Sequence, residues 1–383
     1  MRIVQIGLYP QSRDHICGGV EASVFGLSQA LGCNNEVHVY DQPRIGGENV
    51  VESDGSVIVH RFQNVGKRQS STVVQAKTIA QDIINMHPDV CHIHGTNLFV
   101  WKIYCFLKKE GLPLVVTIHG LASIEKKNAL MKSLGWKRLG QFVYQSWVER
   151  RFIGQLSMAI VDTEYVKQMI NEYRVRKHPI IQVIPQGINE MFFSIRNNCS
   201  EKSQTVLSVG AIGERKGHLY TLRAFEIVRQ QGIDAKLIIA GTYADKQYGK
   251  LLQEAICGSK YRDDIELKLE LSNEELRRLY GNARLFVLHT QEESQGIVFS
   301  EAMAAGLPIV ATNVGGVPFV VTHGVNGLLS SYGDVELFAN NIRDLLKDTS
   351  RWQFMSNNSR EAASAYHWQI ISDRIMELYH SER

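Results

Sequence analysis

Short apolar runs alternate with longer amphipathic stretches along the whole chain, which is the pattern of a parallel α/β sheet. In the first half these runs predict strands at residues 3–7, 36–40, 57–62, 90–93, 114–118, 160–162 and 181–184, with a helix at about 21–31. The pattern begins again with strands at 205–209 and 236–240 on either side of a helix at 218–230. Two successive strand–loop–helix halves of similar size predict two Rossmann-like domains.

The most informative stretch is residues 285–316, LFVLHTQEESQGIVFSEAMAAGLPIVATNVGG. It predicts a buried strand, a polar loop, a helix around 298–305 and a second strand at 308–311. Glu293 and Glu301 flank the loop–helix junction, and eight helical steps would separate them by about 12 Å. Because a helix start attracts phosphate, the spacing suits a long ligand with a central diphosphate, such as a nucleotide sugar. The alternative is that the two carboxylates are a solvated loop residue and a helix cap.

The string ESQGIVFSEAMAAGLPIVAT followed by NVGG resembles the donor-site motif of retaining glycosyltransferase family 4. That resemblance implies an α/β fold of the GT-B type, with two Rossmann-like domains facing each other across an interdomain cleft. It implies transfer of a hexose-type sugar from a nucleotide diphosphate sugar to a hydroxyl acceptor, with no cofactor and no bound metal. Glu293 would contact the transferred sugar and Glu301 the nucleotide ribose, while the amides of Gly296, Ile297 and Val298 would face the phosphates.

The loop GAIGERKG carries a second part of the resemblance, because Lys216 occupies the position of a family lysine that would neutralise the diphosphate. The family also has an arginine just after the first glycine, where this chain has Ala211, and the neighbouring Arg215 is expected to supply that charge. A surface loop lysine has little meaning by itself, so this assignment depends on the family. A further departure is Phe319, which replaces the usual acidic residue after the Gly-Gly turn.

In the first half, the loop CGGVEAS and the strand end LVVTIHG match the family as well. Glycines let backbone amides approach an anion, although a lone Gly-Gly turn is more often only a turn. The resemblance implies that Gly19 faces the donor phosphates, with Gly18 and Glu21 at the acceptor. His119 matches the family's histidine beside the transferred sugar, and its alternative role is that of a hydrogen-bonded loop residue. The predicted catalytic set is therefore His119, Glu293 and Lys216.

Three neighbouring residues superficially resemble metal ligands: Cys91, His92 and His94. On a strand, His92 and His94 share one face while Cys91 points to the other. No fourth ligand is evident, so we interpret the histidines as core or loop residues and expect no metal site.

Composition excludes some classes of protein. The chain has 383 residues and a formal net charge of only +3, so its overall charge gives no reason to expect nucleic-acid binding. Its six cysteines are scattered, which predicts neither a disulfide framework nor a zinc site and fits a reducing cytosol. The N-terminus MRIVQIGLYP lacks the features of a secretory signal, and no apolar stretch is long enough to span a bilayer. We expect a cytoplasmic protein, or one on the inner face of a membrane.

Residues 125–151 combine lysines and arginines with aromatic residues. A basic amphipathic helix of this kind can lie in a lipid headgroup layer, which predicts a peripheral membrane contact near a lipid-linked acceptor. The alternative is a solvated helix face whose aromatic side chains lie in the core.

The domain boundaries follow from these matches. We expect an acceptor-binding domain at 1–193, a nucleotide-sugar-binding domain at 204–365 and a C-terminal docking helix at 366–383 that returns to the first domain. The leading hypothesis is a transferase of surface polysaccharide or lipid-linked oligosaccharide synthesis.

Ala211 and Phe319 favour a rival from another class, a non-catalytic nucleotide-sugar-binding subunit that partners or regulates another transferase. A nicotinamide dehydrogenase lacks support because neither domain's first loop has the three-glycine fingerprint. A hydrolytic sugar-nucleotide epimerase shares the fold and remains a minor enzymatic alternative.

Overall fold

The structure is a computed structural model that describes residues 1–13, 16, 18–43, 49–63, 69–124, 136–175, 177–195 and 204–382. The chain divides into two compact units. Unit 1 comprises Met1–Gly187 and Trp368–Arg383, and unit 2 comprises Ile188–His367.

Unit 1 is built on an eight-stranded sheet in the order β3-β4-β2-β1-β5-β6-β7-β8. Its strands are β1 Arg2–Gly7, β2 Glu36–Asp41, β3 Val50–Asp54, β4 Val57–Arg61, β5 Val90–His94, β6 Leu114–Ile118, β7 Met158–Val161 and β8 Ile180–Val183. All neighbours pair in parallel except β3 and β4 at the edge, which are antiparallel. The helices of this unit are α1 Gly19–Gly32, α2 Gln69–Met86, α3 Leu98–Lys109, α4 Trp136–Ile153, α5 Glu164–Asn171 and the C-terminal helix Trp368–Glu382.

Unit 2 has a six-stranded, wholly parallel sheet in the order β11-β10-β9-β12-β13-β14. Its strands are β9 Thr205–Val209, β10 Lys236–Gly241, β11 Ile265–Leu269, β12 Leu285–Leu288, β13 Ile309–Thr312 and β14 Gly327–Ser330. Its helices are α6 Glu190–Phe193, α7 His218–Gln230, α8 Lys246–Gly258, α9 Asn273–Asn282, α10 Ile297–Ala304, α11 Val335–Lys347 and α12 Thr349–Ala363. The prediction of two parallel α/β domains is confirmed.

The predicted first domain ends at residue 193, whereas the division between the two units falls six residues earlier, so that residues 188–193 belong to unit 2. Ile188 and Phe192 are buried in the core of that unit, and the ring of Phe192 meets Tyr280 edge-on at 5.1 Å. Of the residues that the two predicted domains leave between them, 196–203 lie outside the described part of the chain.

The C-terminal helix, α13 (Trp368–Glu382), belongs to unit 1 and buries one face against α1 and the sheet. Trp368 fills space that two glycines leave open. A Cβ on Gly26 would lie 2.1 Å from its ring, and one on Gly187 would lie 2.5 Å from it. Tyr379, four residues after the buried Ile375, is fully buried, whereas its neighbour Leu378 is only partly buried. The helix thus brings a tyrosine hydroxyl into the interior of unit 1.

Candidate functional site

In unit 2, the loops after the adjacent strands β9 and β12 come into direct backbone contact. Gly217 ends the first loop with a φ of 63°, and a Cβ there would lie 1.9 Å from the carbonyl oxygen of His289. Only glycine allows this approach, because any side chain would meet backbone. The contact brings Lys216 beside Glu293 at the carboxyl ends of the strands, where parallel sheets bind ligands.

Lys216 and Glu293 form a buried ion pair. The Nζ atom of Lys216 lies 2.5 Å from Glu293 Oε1, which also accepts a hydrogen bond from the Thr290 hydroxyl at 3.0 Å. Arg215 is more exposed and places Nη1 3.5 Å from the other carboxylate oxygen. Burial by itself would raise the pKa of Glu293, but Lys216, Arg215 and Thr290 more than offset it, so its pKa lies below the ordinary value. Glu293 is therefore held as a carboxylate, and Lys216 as its counterion.

The Gly315–Gly316 turn fixes the backbone of the Glu293 loop from the other side. The amide of Gly316 donates to the Glu293 carbonyl at 2.8 Å. A Cβ on Gly315 would lie 2.4 Å from that same carbonyl oxygen, and one on Gly316 would lie 1.7 Å from the carbonyl oxygen of Ser294. Both glycines are required for this close approach, which explains the Gly-Gly pair at the end of the predicted motif.

Helix α10 begins directly after Gly296, which has a φ of 78°. The first backbone amides of this helix, at Ile297 and Val298, lie at its positive dipole end, beside the Glu293 loop. Glu301 lies one turn further on and accepts a hydrogen bond from the Tyr280 hydroxyl at 3.1 Å. Burial raises the pKa of Glu301 to about 7, and Tyr280 and the charge of Lys216 only partly offset this effect. The carboxylate form of Glu301 is thus poorly stabilised by the protein alone.

In unit 1, His119 follows β6 and is enclosed by polar groups. Its Nδ1 atom lies 3.1 Å from Asp162 Oδ2 and 3.2 Å from Gln186 Nε2, and its Nε2 atom lies 3.1 Å from Nδ1 of His94. Gln186 Nε2 also donates to Asp162 at 2.6 Å. Both ring nitrogens of His119 therefore contact protein groups, and the histidine is part of a polar cluster rather than an isolated strand-end residue.

The Gly18–Gly19 turn starts α1 close to this cluster. A Cβ on Gly18 would meet none of the described atoms within 4 Å, and one on Gly19 would lie 3.8 Å from Gln186 Oε1. Packing among the described residues therefore does not demand glycine at either position, in contrast to Gly217. Glu21 lies in the first turn of the same helix and is buried.

Several partners of these residues were missed by sequence reasoning. Asp162 follows β7, so the rule that ligands meet strand ends could have found it beside His119. Thr290 stands three residues before Glu293 and gave no separate signal. Tyr280 comes from α9, whose pattern says nothing about a carboxylate on another helix.

His92 and His94 are buried on β5 and take part in hydrogen bonds in the core of unit 1. Among the described residues, no three His, Cys, Asp or Glu side chains are grouped so that they could hold a metal ion. Within the same residues, no helix is long and apolar enough to cross a membrane.

The aromatic residues of the basic segment lie at the surface rather than in the core. Trp136 is 91% exposed, and Leu139, Val143 and Trp147 continue the same exposed stripe along α4 at helical spacing. A groove of about 670 Å³ beside this stripe is lined by apolar and basic side chains, including Phe142, Val143, Trp147, Arg150, Arg151 and Arg174. Three lysines of the basic segment 125–151, at positions 126, 127 and 132, lie outside the described residues.

Comparison with known proteins gives matches along most of the chain. The family described as "Glycosyltransferase Family 4" matches residues 17–191, and the one described as "Glycosyl transferases group 1" matches residues 191–362. GDP-mannose:cellobiosyl-diphosphopolyprenol alpha-mannosyltransferase of Xanthomonas oryzae is 24% identical over 322 residues, which are 83% of this chain and 80% of that protein.

Two solved structures share the fold over the full length. Sucrose-phosphate synthase of Thermosynechococcus elongatus gives a TM-score of 0.81 at 20% identity, covering 99% of this chain and 98% of that chain. Anabaena HepE in complex with UDP-glucose gives a TM-score of 0.72 at 18% identity, covering 100% of both chains.

Proposed function

The chain belongs to glycosyltransferase family 4, with the GT-B type of α/β fold, and we propose that it is a retaining enzyme that transfers a hexose-type sugar from a nucleotide diphosphate sugar to a hydroxyl acceptor. The observation that carries this proposal is the buried Lys216–Glu293 pair at the carboxyl ends of β9 and β12. The binding of UDP-glucose by the Anabaena neighbour supports the class of donor.

The charges of unit 2 suit the donor part by part. A bound diphosphate would compete with Glu293 for the Lys216 ammonium and would meet Arg215 and the first amides of α10. Glu293, released in part from that ion pair, could then accept hydrogen bonds from sugar hydroxyls. Glu301 would accept from the ribose hydroxyls. Lys216 and Arg215 supply the positive charge that a leaving diphosphate needs, which supports activity without a resident metal.

The roles proposed in unit 1 come from the family match. His119 is assigned to a hydroxyl or to the attacking face of the transferred sugar, and Gly19 to the donor phosphates. The open space beside Gly18 supports a ligand there, since a Cβ on this residue would meet none of the described atoms within 4 Å. Gly18 and Glu21 are assigned to the acceptor.

The first experiment is thermal unfolding of the purified protein with a panel of nucleotides and nucleotide sugars. A ligand that binds only the native state raises the midpoint by mass action. We expect the nucleotide diphosphate and the nucleotide sugars of one base to raise the unfolding midpoint of the native chain. In Glu301→Ala the same ligands should no longer raise it. Glu336→Ala, which changes an exposed carboxylate of the same unit, should keep the shift. The absence of a shift with every nucleotide would contradict the donor assignment.

Turnover and stereochemistry need a second measurement. Proton NMR of the glycoside formed from the stabilising donor reports the anomeric configuration directly. We expect the product to keep the configuration of the donor sugar, and an inverted product would contradict the retaining assignment.

The rival function is a nucleotide-sugar-binding subunit without catalysis. It is favoured by Ala211, which replaces a family arginine, and by Phe319, which is 48% exposed at the position of a family carboxylate. Saturable donor binding without release of nucleotide diphosphate, with any acceptor or with water, would support this rival over the enzyme.

For the acceptor we propose a lipid-linked or surface glycan, reached by the protein from the cytoplasmic face of a membrane. The exposed stripe of α4 and the arginines of the adjacent groove combine apolar area with positive charge, which is what an anionic headgroup layer attracts. The Xanthomonas relative, whose name specifies a diphosphopolyprenol substrate, supports the lipid link.

Flotation with vesicles containing anionic lipid tests the membrane contact. The double variant Trp136→Ser/Trp147→Ser should lose binding that the native chain shows. Val74→Ser, which removes an exposed apolar side chain from α2, should keep it. Equal flotation of all three proteins would remove α4 from the proposal.

A further inference from the structure

A continuous chain of buried hydrogen bonds crosses the interior of unit 1 and ends at His119. It joins side chains of the C-terminal helix and three strands, and each of these side chains belongs to a residue that is less than a tenth exposed. In order, its members are Thr117, His92, Tyr379, Gln5, His94 and His119, with Asp162 and Gln186 at the far end of the His119 ring.

The side-chain amide of Gln5 sets the direction of this chain. Its oxygen faces Nε2 of His94 at 2.6 Å, and its nitrogen donates to the Tyr379 hydroxyl at 3.1 Å. A carbonyl oxygen only accepts, so Nε2 of His94 must carry the hydrogen. Burial, together with the neighbouring histidines, lowers the pKa of His94 well below the ordinary value, so this ring stays neutral. Its Nδ1 atom is therefore an acceptor.

That direction determines the tautomer of His119. Because Nδ1 of His94 accepts, the Nε2 atom of His119 at 3.1 Å must donate to it. The neutral His119 ring then has its lone pair on Nδ1, where the Gln186 amide nitrogen can donate to it. A proton gained by His119 can be placed only on Nδ1, facing Asp162.

We propose that His94 is a positioning residue which holds His119 in its Nε2–H tautomer, and that Gln5 of β1 and Tyr379 of the C-terminal helix set the direction of the hydrogen bond between the two histidines. Its relevance to sugar transfer rests on the proposed function, in which His119 acts at the donor sugar. The tautomer itself is a property of the folded chain and does not depend on that function.

Tyr379 determines the direction of the hydrogen bonds in this chain because its single hydroxyl bonds to two neighbours. It accepts from Gln5, so its own hydrogen points to Nδ1 of His92 at 2.6 Å, and His92 in turn donates from Nε2 to Thr117. Without that hydroxyl, nothing else in the chain of bonds keeps the Gln5 nitrogen pointed away from His94. The amide can then rotate, so that His94 donates from Nδ1 to His119 and His119 donates from Nδ1 to Asp162. Loss of one hydroxyl on the C-terminal helix thereby reverses the tautomer at His119.

The test is a long-range proton–nitrogen NMR spectrum of protein labelled with ¹⁵N in its histidine rings, with His119 assigned from the spectrum of His119→Gln. The native chain should show neutral His119 as the Nε2–H tautomer. Tyr379→Phe should populate the Nδ1–H tautomer. Tyr40→Phe is the matched control, because it removes the hydroxyl of another buried tyrosine of the same unit, which bonds to Asp82 instead. Native His119 in the Nδ1–H form, or a spectrum unchanged in Tyr379→Phe, would overturn the proposal.

Two substitutions of His94 separate its two nitrogens. The amide of His94→Asn can stand where Nδ1 stands and accept from His119, whereas the amide of His94→Gln reaches only the place of Nε2 beside Gln5. We expect His94→Asn to keep the Nε2–H tautomer of His119 and His94→Gln to lose it. The reverse order would contradict the assigned role of Nδ1.

Kinetics link the tautomer to the reaction. In Tyr379→Phe we expect kcat for the donor to fall by about tenfold or more with little change in KM, while Tyr40→Phe keeps both. A reversed tautomer with native kcat would overturn the link to the reaction. If no nucleotide sugar is ever turned over, the proposed function fails, while the spectra still decide the positioning of His119.

Discussion

The two clusters described above use opposite electrostatic designs. In unit 2, Glu293 is buried together with a lysine, and its carboxylate is kept charged by that partner. In unit 1, His92 and His94 are buried in neutral form, and hydrogen bonds rather than charges link them to His119. A buried ion pair can exchange one partner for an ionic ligand, whereas a neutral network can only hold and orient. The difference agrees with the two proposed roles, which are binding of a diphosphate in unit 2 and positioning of His119 in unit 1.

The glycines of the two units also serve different purposes. In unit 2, Gly217, Gly315 and Gly316 let two backbone segments lie in contact, whereas Gly18 before α1 has no described atom beside it. The largest effect is therefore expected from Gly217→Ala, which adds a Cβ 1.9 Å from the His289 carbonyl oxygen at a φ of 63°. We expect it to lower the free energy of unfolding by roughly 3 kcal/mol or more, or to prevent folding.

The matched control is Gly18→Ala, whose Cβ would meet none of the described atoms within 4 Å. Its free energy of unfolding should change by about 0.5 kcal/mol or less. Urea unfolding of both variants checks the pair, and equal destabilisation would contradict the distinction between the two loops.

The ion pair should give the next largest effect. Lys216→Met leaves Glu293 buried with only Arg215 and Thr290, and Glu293→Gln leaves Lys216 without its carboxylate. Each should lower the free energy of unfolding by about 3 kcal/mol, because a buried charge loses its main partner, and each should reduce donor turnover by about 100-fold or more.

A double-mutant cycle separates these two consequences. The double variant Lys216→Met/Glu293→Gln should recover much of the stability, since no buried charge remains, yet it should recover none of the turnover. Additive losses of stability would show that the two side chains do not depend on each other.

The neutral histidines predict a pH effect on stability. Burial, with a smaller effect from His119, lowers the pKa of His92 to about 3, and that of His94 is also well below the ordinary 6.5. As the pH falls below about 6.5, these histidines gain protons in the unfolded chain but not in the folded one. The free energy of unfolding should then fall by up to about 1.4 kcal/mol per pH unit for each histidine.

Urea unfolding between pH 5 and pH 8 measures this slope. His92→Gln should reduce it, whereas His178→Gln, which changes an exposed histidine of the same unit, should leave it closer to native. A native slope retained in His92→Gln would mean that other groups cause the acid sensitivity.

Strand ends were the part of this molecule that sequence could predict. The apolar runs at 205–209 and 285–288 match β9 and β12, and the loops after them carry Lys216 and Glu293. A lone polar residue in such a run carries no information about its partner. Gln5 and Tyr379 are 374 residues apart, and only the packing of the C-terminal helix brings them together. Local pattern likewise does not place Ile188, because tertiary contacts decide that it is buried in the core of unit 2.

The smallest expected effect on stability comes from Glu301. This residue contrasts with the two histidines because burial raises its pKa, whereas burial lowers theirs. Burial raises the pKa to about 7 from an ordinary 4.5, so folding favours its protonated form, and this residue's contribution to stability is lost as the pH rises from about 4.5 to 7.

Binding should follow the opposite course, because ribose hydroxyls need the carboxylate as acceptor. If only the ionised form binds, nucleotide affinity should rise by about tenfold between pH 6 and pH 8 and then level off. Calorimetric titration with the stabilising nucleotide measures this rise. Glu301→Gln should bind more weakly and lose the pH dependence that Glu301 causes. A pH profile that survives unchanged in Glu301→Gln must come from another group, and the ribose assignment would then lose its electrostatic basis. If the pH dependence disappears in Glu301→Gln, the unfavourable burial of this carboxylate in unit 2 serves ligand recognition. The neutral histidines of unit 1, by contrast, are proposed to orient His119.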